Sequence, residues 1–412
     1  MPRPFPVRLA NTVGAGLQRL GLDPIPLDPG RLMRRAQRRS DLSDFGDPNS
    51  SCAWMADDFL GGLEQLCQSA REDGHLNFVG TYALYRQALQ ALETRLQMVE
   101  LRKKQPQLFE QTPLQPLLVV GMPRSGTTYL HRLLSLDPAL RPLPFWQVAH
   151  PIAPPGKDWR RKQTQKDLRW IKRMAPELDA KHYLHADEPE ECLFLLNPTF
   201  KSLAFWVSSP VYSYLEWLKQ QDCSAAYQFY RDQLLVLQAE GIKQGDSRPL
   251  VLKSPVHTGY LPEILTAVPD ARIVCTHRDS IAVQGSANSL FRTLYSLVSD
   301  RVDIAKMAQA NFDMLGLAAD RALAARSQIP ADAVVDIDYQ DLLDRPVQCV
   351  ERIYAHHNMP LSDEFRSALE AYVDSRPQHH FGVHRYSLSD FGLDEDEVRR
   401  RFNSYDQLAA QP

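Results

Sequence analysis

The 412-residue chain reads as an α/β protein with a central parallel sheet flanked by helices, a helical region ahead of the sheet and a helical cap inserted into it. Three observations predict this. Short apolar runs at residues 117–120, 249–253, 271–278 and 333–339 are each long enough for one buried strand. After each of the last three comes a stretch with helical character, around residues 260–267, from Ser280 and over 347–357, and such alternation implies parallel strands with covered faces. Residues 1 to about 110 carry helical patterns broken by prolines, and more than a hundred residues, about 140–248, separate the first strand–helix unit from the second. The expected division is therefore 1–110, a helical region, and 111–412, the sheet domain with its cap.

In the first region, Arg31, Arg34, Arg35, Arg38 and Arg39 fall at helical spacing and are balanced by Asp41, Asp44 and Asp47, the pattern of a solvated face. Residues 81–101 place Tyr85, Leu89, Leu92, Leu96 and Val99 on one side of a long amphipathic helix that feeds toward the first strand. That strand is cut off by Gly121, and Leu130, Leu133, Leu134 and Leu136 mark a helix from Thr127. Residues 122–126 form the tight connection between them. Glycines at 121 and 126 let the backbone turn sharply, so the N–H groups of the loop and of the helix start can converge on one anion, aided by the helix dipole. The spacing Gly121 to Gly126 fits the Walker pattern G-x-x-x-x-G, but Thr127 stands where its Lys belongs. Arg124 supplies a cation inside the loop instead, with Ser125, Thr127 and Thr128 as hydroxyl donors. The fold expected is thus of the P-loop type.

Within the insertion, residues 159–175 form a basic amphipathic helix, with Arg160, Arg161, Lys162, Lys166, Arg169, Lys172 and Arg173 set against Trp159, Leu168, Trp170 and Ile171. Asp158 and Asp167 interrupt the charge; a solvated face is one reading and peripheral contact with an anionic membrane the other. Residues 194–230 are rich in aromatics, most of them core and a minority free to line an apolar acceptor pocket. The net charge of −3 gives no general attraction to nucleic acid. Six cysteines at 52, 67, 192, 223, 275 and 349 lack C-x-x-C spacing, against both a disulfide framework and a zinc site. No run of eighteen apolar residues is present and prolines break the N-terminus, so a cytoplasmic location is expected.

The motif PRSGTT resembles the phosphosulfate-binding loop of sulfotransferases that use 3′-phosphoadenosine 5′-phosphosulfate (PAPS), in the variant with Arg common among bacteria. Four further stretches extend the resemblance over residues 117–402. LKSPVHTGYLPEIL is similar to the family segment in which a Lys and, close behind it, a catalytic His precede a helix; this implies Lys253 as a cation on the leaving side, with Arg124, and His257 as general base. THRDSIAVQGSANSL resembles the 3′-phosphate site, implying Arg278 and Ser286 as its ligands. DIDYQDLLDRP is similar to a scaffolding strand-to-helix segment, and His384, Arg385 and Tyr386 lie in a tail that looks like the bacterial C-terminus. Other branches of the family use a Glu as base, and HADEPEEC offers Glu188, Glu190 and Glu191.

The base thus stays open between His257 and the pair Glu190/Glu191. HADEPEEC also reads as a capping arrangement, with Asp187 as N-cap, Pro189 in the first turn and Glu190 at the third helical position. His182, His185 and Asp187 fit no strong metal pattern, and no metal is expected. The resemblance implies transfer of a sulfuryl group from PAPS, with Arg124, Ser125, Gly126, Thr127, Thr128, Arg278 and Ser286 holding the donor, to a hydroxyl on an apolar small molecule or lipid. A P-loop kinase using ATP and a non-catalytic nucleotide- or membrane-binding protein are the rival readings.

Overall fold

The computed structural model describes residues 5–20, 24–110, 113–174, 184–375 and 387–409. Five strands, β1 (Leu117–Gly121), β2 (Arg141–Pro142), β3 (Leu250–Lys253), β4 (Arg272–His277) and β5 (Val334–Asp338), form one sheet in the order β2-β3-β1-β4-β5. Every pairing is parallel, with Val119 opposite Lys253 and Gly121 opposite Thr276. The strand centres Leu117–Val120, Leu250–Leu252 and Ile273–Cys275 are apolar because both faces of the sheet are covered. Leu117 and Val119 pack with Val251, Val274 and Ile337 under the helices Thr127–Leu134, Pro346–His356 and Asp363–Asp374. Leu118 and Val120, pointing the other way, join Leu252 and Ile273 in a much larger cluster. The edge strand β2 is too short to leave a periodic signal in the sequence.

That larger cluster runs without a break from the sheet into the N-terminal helices, through Leu96, Leu92 and Leu32. Its backbone is the helix Phe78–Lys104, capped by the Asn77 carbonyl oxygen Oδ1 accepting from Gly80 N–H at 2.9 Å. Arg95, buried within it, donates to the carbonyls of Phe45 and Trp54 at 2.8 and 2.9 Å and lies 4.2 Å from the Phe59 ring centre, fastening the shorter helices to the long one. The insertion supplies helices at Phe145–Ala149, Arg160–Met174, Leu203–Ser208, Tyr212–Lys219 and Ser224–Lys243. Phe205, Trp206, Tyr214, Tyr227, Phe229 and Tyr230 are fully buried among them, so the aromatic richness of this stretch is chiefly core. Among the described residues no helix is long and apolar enough to cross a membrane.

Candidate active site

In parallel sheets of this kind, ligands sit beyond the carboxyl ends of the strands. Here the ends of β1, β3 and β4 carry the loop 121–126, Lys253 and Arg278. The loop is shaped by its glycines: Gly121 has φ +137° and Gly126 φ +92°. A Cβ on Gly121 would lie 2.4 Å from both the carbonyl oxygen and Oγ1 of Thr276, so only glycine fits there. Two threonines pin the loop from below. Gly121 N–H donates to Thr258 Oγ1 at 2.8 Å, and Thr276 Oγ1 lies 2.7 Å from Ser125 Oγ. The Ser125 hydroxyl also donates to the Met122 carbonyl at 2.6 Å and is fully buried. In this arrangement it braces the loop from within. Thr127 opens the helix behind the loop and Thr128 follows it.

Arg124 turns away from the side assigned to it in the sequence. Its Nε donates to Ser286 Oγ at 3.1 Å, and its backbone carbonyl accepts from Arg278 Nη1 at 2.8 Å. Three residues named separately, from β1's loop, β4's end and the helix Ser280–Val298, thus meet at one point. The Arg278 guanidinium lies 4.3 Å from the centre of the Tyr339 ring, and a Cβ on Gly126 would come within 3.0 Å of that same ring. Tyr339 therefore backs both the loop and the arginine.

Lys253 forms the second cluster. It is 1 % exposed, and its Nζ lies 2.8 Å from Glu191 Oε1, 3.7 Å from Glu190 Oε1 and 3.4 Å from Thr128 Oγ1. Burial by itself would lower the ammonium's pKa, but the Glu191 and Glu190 carboxylates outweigh it and hold the pKa above its ordinary value. Glu190 and Glu191 are available because the expected cap does not form. Asp187 pairs with Arg161, at 2.6 and 2.9 Å, residues 186–188 turn, and Pro189 bridges to Pro144. The helix that follows, Cys192–Thr199, begins only after both glutamates, and Glu191 N–H donates to Glu190 Oε1 at 2.9 Å.

His257 is not with them. In the short helix Pro255–Tyr260 it is fully buried, with Nδ1 2.9 Å from the Tyr227 hydroxyl and Nε2 3.4 Å from Cys192 Sγ. The rings of Tyr227 and Tyr230 meet it edge-on at 5.5 and 5.2 Å. Burial pushes its pKa down to about 3. With both ring nitrogens engaged and no exposed surface, it stands apart from the Lys253 cluster, packed into the wall of the insertion.

Among the described residues, one group has ligand atoms close enough for a metal: Cys275, His277 and Asp336. His277 Nε2 is 2.6 Å from Asp336 Oδ1, and Arg326 pairs with the same oxygen. The carboxylate is already neutralised by a cation, so the group reads as a strut between β4 and β5. His182, His384, Arg385 and Tyr386 lie outside the described residues. Sequence reading missed Thr258 and Thr276, whose contacts with Gly121 and Ser125 join positions more than a hundred residues apart, and took Tyr339 only as scaffolding.

A glycine-turned loop between a parallel strand and a helix, met by cations from two neighbouring strands, defines an α/β protein with a candidate anion site at the carboxyl edge of its sheet. Within that class the chain belongs to the sulfotransferase family, whose model matches residues 116–363. It is similar over nearly its whole length to two solved structures. The sulfotransferase STF9 from Mycobacterium avium matches with a TM-score of 0.80 at 27% identity, covering 93% of this chain and 97% of that one. The sulfotransferase STF1 from Mycobacterium tuberculosis H37Rv matches with a TM-score of 0.77 at 28% identity, covering 91% and 98%. No curated protein matches the chain significantly by sequence.

Proposed function

We propose that the protein transfers a sulfuryl group from PAPS to a hydroxyl of a largely apolar small-molecule or lipid acceptor. The observation that carries this reading is Lys253, held between Thr128 of the cradle helix and the Glu190/Glu191 pair. Sulfuryl transfer needs a clamp on the leaving phosphate, positive charge against the moving oxygens and a base for the acceptor, and the grouping of Thr128, Lys253 and the two glutamates supports assigning those tasks to them. PAPS supplies the sulfuryl group and leaves as adenosine 3′,5′-bisphosphate. The loop N–H groups, Thr127, Thr128 and Lys253 hold the 5′-phosphate, while Arg124, Arg278 and Ser286 take the 3′-phosphate. One of the two glutamates removes the acceptor's proton as its oxygen bonds to sulfur and the bond from sulfur to the 5′-phosphate oxygen breaks.

The test is calorimetric titration of adenosine 3′,5′-bisphosphate against the wild type and Arg278→Ala, with AMP and ATP as controls. Binding of the bisphosphate that Arg278→Ala weakens, with AMP poor, is the expected result. Absence of binding, or preference for ATP with Mg²⁺, removes the reading in favour of a kinase.

A further inference from the structure

The helix Arg160–Met174 has two unlike faces. Arg160, Thr164 and Leu168, spaced at i, i+4 and i+8, are buried. On the far side Lys162, Lys166, Arg169 and Arg173, at i, i+4, i+7 and i+11, are all exposed and form one stripe, about 16 Å long at the rise of an α-helix. None of these four makes an ion pair with another described residue, and Asp167 lies off the stripe with its carboxylate accepting from Gln163 at 2.8 Å. Aligned like charges of this kind disfavour a helix unless something anionic meets them. Beside the stripe stand two of the chain's exposed large aromatics, Trp170 at 53% and Trp159 at 46%. Lysines and arginines with tryptophans at their margin are the composition that lies along a lipid headgroup layer, the rings entering it and the cations meeting phosphates.

The helix is also fixed to the site. Arg160 is clamped by Asp158 and Glu240 and lies 4.8 Å from the Trp146 ring centre. Arg161 forks onto Asp187, in the same short loop as Glu190 and Glu191. We infer that the exposed face of this helix docks on an anionic lipid membrane and holds the glutamate loop toward it, so that an apolar acceptor enters from the lipid. The delivery of acceptor rests on the function proposed above; the docking does not.

Sedimentation with vesicles of phosphatidylcholine alone, and of phosphatidylcholine with phosphatidylglycerol, tests the docking without any sulfuryl donor. The wild type is expected to pellet with the anionic vesicles only, and to be released by salt. Combining Lys162→Gln, Lys166→Gln, Arg169→Gln and Arg173→Gln should lower partitioning on the order of 1,000-fold. All four side chains are exposed, so the unfolding midpoint should stay at the wild-type value, which separates lost docking from lost fold. Trp170→Ala alone should lower partitioning by a smaller factor at unchanged charge. Failure of the wild type to pellet, or pelleting that survives the four substitutions, overturns the inference. Leu9→Ser distinguishes the second case: loss of pelleting there would assign the contact to the exposed stripe Phe5, Leu9 and Val13 of the helix Phe5–Arg19. Salt-sensitive binding of a DNA duplex through the four cations, with no vesicle pelleting, overturns it in favour of nucleic acid.

Discussion

Lys253 and His257 belong to one segment, both are buried, and both were assigned to chemistry, yet their surroundings are opposite. Lys253 ends a strand and finds two carboxylates and a threonine of the cradle helix. His257, one turn further on in the helix Pro255–Tyr260, sits in a wall of two tyrosines and a cysteine. What separates them is charge compensation. A buried ammonium persists as a cation only beside carboxylates, whereas an imidazole can satisfy burial by staying neutral. A charged, compensated side chain at a strand's carboxyl end and a neutral one sealed by aromatics thus stand one turn apart.

The largest effect should come from the carboxylate partners of Lys253. If a glutamate removes the acceptor proton, Glu191→Gln or Glu190→Gln should lower kcat by about 10²–10⁴ and flatten the acidic limb of the pH–rate profile. The glutamate that serves only as counter-ion should show a far smaller loss with the limb retained. If neither change alters the limb, the side of the comparison that contains Lys253 is not the acid–base side.

Lys253→Ala comes next. Removing one preorganised charge aimed at the transferring group costs about 10²–10³ in kcat, and the variant also leaves two carboxylates close together without their cation. The double variant Lys253→Ala with Glu191→Gln relieves that repulsion. Comparing thermal stability and kcat in the single and double variants separates the two effects: stability should return while turnover stays low.

His257→Phe should act on stability and leave the shape of the pH–rate profile unchanged. Its pKa falls from an ordinary 6.5 to about 3 in the folded protein, and that of His131, buried behind the cradle, falls likewise to about 3. For such groups the unfolded chain binds more protons between these values. Stability is therefore complete above about pH 6.5 and declines as pH falls toward 3, by up to about 1.4 kcal/mol per pH unit for each histidine. His257→Phe should make the acid decline shallower, measured by denaturant unfolding at pH 7 and pH 5. At pH 7 it should cost about 1–3 kcal/mol, because the Tyr227 hydroxyl and the Cys192 thiol lose their partner.

These contrasts show where the chain was legible before folding. Residues 117–120, 271–278 and 333–339 announce buried strands because burial on both faces forces continuous apolar runs, and β1, β4 and β5 lie within or almost within them. Gly121 and Gly126 announce the loop because no other residue takes those turns. The strand β2 carries two residues and no pattern. At the site, type and spacing point to Lys253, Arg278 and Ser286, but spacing cannot say which way a side chain faces. Arg124 reaches Ser286, Ser125 turns inward and His257 is sealed because of contacts with residues more than a hundred positions away, or with the facing wall of the insertion. The glutamates were obscured for a different reason: a local capping pattern competed for them, and the ion pair of Asp187 with Arg161, absent from any local pattern, removed that cap.

The smallest effect concerns the other cluster and extends the same contrast to a residue that holds without reacting. Arg278 is steadied by the Arg124 carbonyl at 2.8 Å and by the face of Tyr339 at 4.3 Å. A guanidinium over an aromatic face gains about 0.5–2 kcal/mol, according to how far it is desolvated. Tyr339→Leu keeps an apolar wall behind Gly126 but removes the ring's negative face. Bisphosphate affinity should therefore weaken by roughly 2- to 30-fold by calorimetry, with a smaller loss for AMP, which has no 3′-phosphate. Tyr339→Phe retains the ring and should bind nearly as the wild type does. Equal losses for both nucleotides would mean that Tyr339 acts through the loop at Gly126 and not through Arg278, and the two clusters would then share one support.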